Sequence, residues 1–265
     1  MSASSLFSSL FNYDYANPPG QWVGLLNYIN VFQSSMFWQQ LWNTVALYLL
    51  GLVFGFWVPI VQALLLNEIG KGKAVMRYLF VLPAAIPSVA SMTLWRFIWE
   101  PDGGLANFLV TLFGGEAQTW LLDENWIKFC LTFPSIRGGG LNILIYLVAI
   151  ESVDESILEA ARLDGATRFQ VVMRIILPNI AYMIGVQFLL SLSSSLLAFD
   201  NVYVMTDGTG GPNGSAKTLV FGIYSLAYER MQYGQAMATS IVVVIITLLF
   251  VGLKQFIEKR VSKAD

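Results

Sequence analysis

Five long, mainly apolar stretches constrain this chain more than any other feature: Trp42 to Leu66, Tyr78 to Trp99, Ile127 to Ile150, Ile180 to Tyr203 and Ala236 to Phe256. A bilayer's hydrocarbon core is about 30 Å thick, which a helix rising about 1.5 Å per residue crosses in about 20 residues. The spacing therefore predicts an all-α integral membrane protein, a polytopic helical bundle of about five spans in a lipid bilayer. Composition agrees. Of 265 residues, 56% are hydrophobic and 12% charged, where a soluble domain carries about 25% charge.

The few charges alternate along the chain. Lys71, Lys73 and Arg77 fill the first connection, Arg162, Arg168 and Arg174 the third, and Lys254, Lys259, Arg260 and Lys263 follow the last span. Basic connections stay in the cytoplasm, so the C-terminus is expected there too. The other connections carry Glu100, Asp102, Glu116, Asp123 and Glu124, then Asp207 and Glu229, and belong outside. Residues 1–40 then form an extracytoplasmic segment with no span ahead of it, and an upstream helix is expected to be missing. Residues 41–256 form the membrane domain and 257–265 a cytoplasmic tail. Met1 to Leu10 lacks a basic start followed by an unbroken apolar run, so no cleaved leader is expected. Trp38, Trp42, Trp95, Trp99, Trp120, Trp126, Tyr203 and Tyr224 fall near the outer ends, where ring anchoring at the headgroups is expected.

Several classes of activity fail at once. Histidine is absent and Cys130 is the one cysteine, which removes Ser-His and Cys-His nucleophiles, Cys/His zinc sites and an intrachain disulfide. No catalytic residue and no metal ligand are expected. With a net charge of -2 and scattered lysines and arginines, nothing resembles a phosphate-neutralising face, so nucleic acid is not a partner.

The connection 152–178 is the longest on the cytoplasmic side and predicts two short amphipathic helices broken at Asp164 and Gly165. Ala160 and Ala161 permit close backbone approach, Gly165 a tight turn, and Pro178 the first turn of the next span. Such a segment either docks into a partner's cleft or lies as an elbow on the membrane surface. Glu159-Ala160-Ala161, three residues, Gly165, nine residues, then Ile175 and Leu177-Pro178 resemble the EAA signature of binding-protein-dependent ABC importer permeases at every fixed position. Val23-Gly24-Leu25, Asn27-Tyr28, Asn43-Thr44, Leu82-Pro83, Ile86-Pro87-Ser88, Trp95, Gly104-Leu105 with Asn107, Trp120-Leu121, and Thr206 before Gly210-Gly211-Pro212 resemble, in order, the carbohydrate-uptake branch of maltose and glycerol-phosphate type.

The resemblance implies a type I ABC importer transmembrane domain with a cytoplasmic coupling helix, in the inner membrane of a bacterium. It places an additional helix before the Val23-Gly24-Leu25 region. It implies a second permease subunit, two ATPase subunits that bind ATP and Mg, and an extracytoplasmic binding protein that delivers a sugar, oligosaccharide or related polyol. No cofactor is then held by this chain itself. Carried to matching positions, Glu159, Ala160, Ala161, Asp164 and Gly165 would contact the ATPase. A non-sugar cargo, or a passive channel or scaffold, stands as the alternative.

For the solute path, Arg137 beside Gly138-Gly139-Gly140 is the leading candidate, because an ionised group within a span needs a cavity or a partner. It faces either substrate or an acidic residue of the sister permease. Ser88, Asn142 and the serines near Ser194 and Ser195 are the other candidates, each either touching substrate or bonding within its own helix bundle. Asp200 suits an interface. Gly211 to Thr218 falls one residue short of a phosphate-cradling G-x-x-x-x-G-K-T loop, since Ala216 replaces the second glycine, and no buried strand is expected before it. A glycine-rich outer loop is the expectation.

Overall fold

A computed structural model describes residues 3–13, 18–70, 72–138 and 140–261; Lys71, Gly139 and Lys263, named above, lie outside the described residues. In chain order it contains α1 (Ala3–Ser8), β1 (Phe11–Asn12), β2 (Gln21–Trp22), α2 (Leu26–Gln33), α3 (Ser35–Glu68), α4 (Lys73–Ala85), α5 (Ser88–Ile98), α6 (Leu105–Leu112), α7 (Ile127–Arg137), α8 (Gly140–Glu151), α9 (Glu155–Leu163), α10 (Arg168–Asn179), α11 (Ala181–Leu196), α12 (Asp200–Met205), α13 (Leu219–Glu229) and α14 (Tyr233–Val261). The two strands pair antiparallel, Phe11 opposite Trp22 and Asn12 opposite Gln21.

Among the described residues, α3 alone is by itself long and apolar enough to cross a membrane; α4 with α5, α7 with α8, and α10 with α11 qualify as bent pairs. Leu49, Val53, Trp57, Val61 and Leu65, four residues apart along α3, are all exposed. A helix facing water would carry polar residues on that stripe, so its surroundings are lipid or protein. The span expected to run from Ile180 to Tyr203 stops at Leu196, and α12 starts anew at Asp200.

Two of the bends and bulges have a covalent cause. Wide π-turns at Leu52–Phe56 and Val172–Ile176 come just before Pro59 and Pro178. A proline lacks the N–H for the i−4 carbonyl and its ring collides with that carbonyl, so the turn ahead of it opens. Pro178 thus sits in the last turn of α10, before the 67° bend into α11, and not in the first turn of the following helix.

The chain divides into two compact units. The first comprises Met1–Tyr48, Met92–Leu131 and Leu192–Asp265, the second Leu49–Ser91 and Thr132–Ser191. In the second unit Ile60, Ala63 and Leu66 of α3 pack against Ile143, Tyr146, Leu147 and Ile150 of α8, closed off by Ile176 and Ile180. Both series follow the helical repeat, and Ala63, fully buried, lets the helices approach.

In the first unit Val31 and Phe37 pack with Leu219, Ala238, Val242 and Val243. The polar ties are as informative. Asn43 Nδ2 donates to the carbonyls of Gly214 (2.9 Å) and Lys217 (3.1 Å), and Thr44 Oγ1 accepts from the Leu219 N–H (3.1 Å). Asn107 makes four hydrogen bonds: Nδ2 donates to Pro101 O (2.9 Å) and Gln118 O (2.8 Å), and Oδ1 accepts from Gln118 N (2.9 Å) and Trp120 Nε1 (2.7 Å). This folds the α5–α7 connection back on itself and buries Trp99 and Trp120 in a cluster with Trp126 and Phe129. Those two tryptophans are core residues and not headgroup anchors, unlike Trp38 and Trp42, which are exposed.

Candidate functional site

The EAA segment forms α9 and the turn after it, and its spacing has a geometric basis. Asp154 caps the helix, its Oδ1 accepting from the Ser156 N–H at 2.9 Å. Glu155 stands in the first turn and Arg162 in the last, each of the sign the helix dipole favours. At the far end Gly165 adopts φ +77°, the left-handed conformation that closes helices. Its N–H donates to Arg162 O (3.1 Å), and the Ala166 N–H reaches back to Ala161 O (3.0 Å). A glycine four residues after Ala161 is the position at which these two bonds close together.

The new helix then starts on a capping box. Gln170 N–H donates to Thr167 Oγ1 (3.3 Å) and the Thr167 N–H to Gln170 Oε1 (2.8 Å). The helix-turn-helix is held by its own backbone, and the unit's core engages it near Leu158, Val171 and Val172. Glu159, Ala160, Asp164 and Gly165 are exposed and Ala161 half-exposed. So are two residues that motif matching passes over: Leu163 is 89% and Phe169 72% exposed, one on each side of the turn. Large apolar side chains so presented mark a contact surface. Their sequence signal was available, as apolar residues flanking the Gly165 break.

The side-chain carboxyl of Asp154 lies below the ordinary aspartate range because the Ser156 N–H bonds to its charged form. A lowered value means the cap operates at neutral pH and is lost as the pH falls through it. Asp154→Ala is accordingly expected to fray the start of α9. Amide exchange at Ser156 and Ile157 should quicken at pH 7 and lose its difference from wild type in acid.

Beside Arg137 the expected break begins at Gly138. α7 ends in the tight turn Phe133–Arg137, and Gly138 takes φ +80°. The carbonyl freed there is satisfied by a neighbouring helix, Gln62 Nε2 of α3 donating to Arg137 O at 3.0 Å. The guanidinium is exposed and donates through Nη1 to Ser91 Oγ at 3.0 Å. Ser91 is buried, whereas Ser88, one turn earlier on α5, and Asn142 on α8 are exposed. The partner of Arg137 is thus Ser91, a position the sequence did not single out. Ser194 and Ser195 lie in the first unit; Ser194 is exposed, and Ser195 Oγ donates to Leu192 O (2.7 Å) within its own helix.

The loop Gly211 to Thr218 is not arranged to hold a phosphate. Helix α12 and turns precede it, Ala216 is fully buried, and Thr218 Oγ1 donates to Ala198 O at 2.7 Å. Lys217 Nζ sits 5.3 Å from the centre of the Phe221 ring, a cation–π position. Just before this loop, Asp207 carries an ion pair, Arg96 Nη1 to Asp207 Oδ1 at 2.9 Å.

Residues 48–263 match the family described as binding-protein-dependent transport system inner membrane component. The chain is 33% identical over 244 residues to the polygalacturonan/rhamnogalacturonan transport system permease protein YteP of Bacillus subtilis (strain 168), covering 91% of this chain and 75% of that one. It is 28% identical over 235 residues to the trehalose/maltose transport system permease protein MalF of Thermococcus litoralis, covering 88% and 78%. Among solved structures it resembles a bacterial ABC transporter involved in the import of the acidic polysaccharide alginate. That match has a TM-score of 0.84 at 27% identity and covers 97% of this chain and 89% of the other.

Proposed function

This chain belongs to the family of binding-protein-dependent transport system inner membrane components, and from that premise we propose that it is the permease subunit of an ATP-driven saccharide importer. The observation that carries the reading is α9 with the turn after it: a short helix closed at both ends, exposed, and offering Ile157 and Leu163 to a partner, with Phe169 of α10 beyond the turn. In this reading the partner is an ATPase subunit, which binds ATP and Mg and hydrolyses the nucleotide. Its closure drives α9 and switches the permease, with a second permease subunit, between inward-open and outward-open states. An extracytoplasmic binding protein supplies the solute, and the C-terminus faces the cytoplasm.

The cargo class follows from Arg137. A guanidinium at a helix break, held by one serine hydroxyl and otherwise exposed, keeps donors free for a carboxylate. Alginate, carried by the importer of high structural likeness, is described as acidic. We infer a saccharide bearing carboxylates, contacted in the second unit by Arg137, Asn142 and Ser88; Ser194 and Ser195 are separate candidates in the first unit.

Two measurements test this. The importer reading requires that a C-terminally tagged chain, extracted in mild detergent, brings down an ATPase and a second permease, and that Ala161→Trp loses the ATPase; recovery of the chain alone would make it a channel or scaffold. Arg137→Gln is expected to lower uptake of an acidic oligosaccharide by about tenfold or more, the scale of one lost charge-assisted hydrogen bond. Neutral oligosaccharide uptake should change less. Equal uptake of the acidic sugar by mutant and wild type would remove Arg137 from the path.

A further inference from the structure

In the second unit α8 and α4 meet at one carboxylate, and α3 joins them through Lys73. Glu151 closes α8, and its Oε1 accepts from Lys73 Nζ at 2.7 Å and from Arg77 Nη2 at 2.5 Å, both on α4. Lys73 Nζ also donates to Asn67 Oδ1 of α3 at 3.2 Å. A carboxylate in the last turn of a helix opposes the helix dipole, so the two cations, and not the helix, account for its place there.

No slack separates this point from α9. Ser152 N–H donates to Val148 O (3.0 Å), Ser152 Oγ to Ala149 O (2.7 Å) and Val153 N–H to Ile150 O (3.2 Å), and Asp154 is already the cap of α9. On the other side of α9 the tie is longer and more exposed than the Glu151 pairs, whose side chains are 25–38% exposed. Arg168 Nη1 lies 3.4 Å from Glu68 Oε2, with the two side chains 90% and 53% exposed, and such solvent-exposed pairs contribute little.

Given an ATPase seated on α9, as proposed above, we propose that the Glu151 carboxylate gripped by Lys73 and Arg77 is the joint that carries the movement of α9, through α8, to α4. Glu151 is a positioning residue and touches neither nucleotide nor solute. With the joint intact, α9 and α4 move as one body. With it broken, α9 stays joined to α8, which keeps its core contacts with α3, and α4 no longer follows the two.

The test needs no knowledge of the solute. Spin labels at Ser156→Cys on α9 and Val75→Cys on α4, both exposed, are placed in a Cys130→Ser chain within the purified complex. The distance between them is measured without nucleotide and with ATP trapped by vanadate. In the otherwise wild-type complex the distance should be narrow and unchanged by nucleotide. In Glu151→Gln it should shift or spread on trapping by on the order of a helical turn, about 5 Å, while the complex keeps its ATPase subunit and its ATP turnover. Reversing the charges, Glu151→Arg with Lys73→Glu and Arg77→Glu, should restore the fixed distance, which a merely structural loss would not allow. An unchanged distance in assembled Glu151→Gln, or failure of the reversed set to restore it, would overturn the joint. Absence of any ATPase in the wild-type preparation would overturn the importer reading instead.

Discussion

Asn107→Asp is expected to destabilise the first unit by roughly 3–5 kcal/mol. The side chain is buried and uses all four of its hydrogen-bonding positions. Aspartate keeps the acceptor for Trp120 but turns an oxygen toward the carbonyls of Pro101 and Gln118, each within 2.9 Å of the present nitrogen. Two bonds are lost and two half-buried carbonyls are left facing negative charge, at about 1–3 kcal/mol for each orphaned group. For a chain of this length each kcal/mol lowers the melting temperature by about 2–4 °C, so a fall on the order of 10 °C should appear in a thermal melt in detergent. The tryptophan emission of the Trp99, Trp120 and Trp126 cluster should shift to the red as water enters. A melting temperature within about 2 °C of wild type would show that the connection does not depend on this hub.

Gly165→Val acts on function with little effect on the fold. A Cβ added at Gly165 meets no atom within 4 Å, but φ is +77°, so the whole cost is backbone strain. Left-handed backbone costs an ordinary residue about 1–2 kcal/mol, and a β-branched one more. The turn is exposed and self-contained, so the strain is relieved by opening the Ala166 to Ala161 bond and unwinding the end of α9. Transport should fall by roughly tenfold or more, one factor of ten per about 1.4 kcal/mol of displaced equilibrium. The melting temperature should stay close to wild type. Gly165→Asn, which tolerates positive φ, should transport best of the substituted forms, then alanine, then valine. A valine variant that transports normally would detach this turn from the mechanism.

Legibility varied with the range over which each feature is specified. The helical break at Gly165 was readable because helix closure is local: its bonds join residues within five positions of one another. The break after Arg137 was readable for the same reason, from adjacent glycines. Ser91 as its partner was not, since 46 residues separate the pair. Trp99 and Trp120 were misplaced for a related reason. An aromatic residue beside acidic loop residues resembles a headgroup anchor, and only Asn107, by folding the α5–α7 connection back, makes these two a core.

The sequence by itself determined that this chain lives in a bilayer, which of its connections are basic, and where the 152–178 connection turns. Those properties follow from apolar run length, charge placement and local backbone rules, each acting over a few turns of helix. The tertiary structure decided which polar groups are spent. It tied Asn43 to the Gly211 to Thr218 loop, used Lys217 on an aromatic ring where a phosphate loop was imitated, and set Glu151 against Lys73 and Arg77. Hydrogen bonds and ion pairs are short-ranged and satisfied once. Their partners depend on which helix ends meet in space, and residue order along the chain does not fix that.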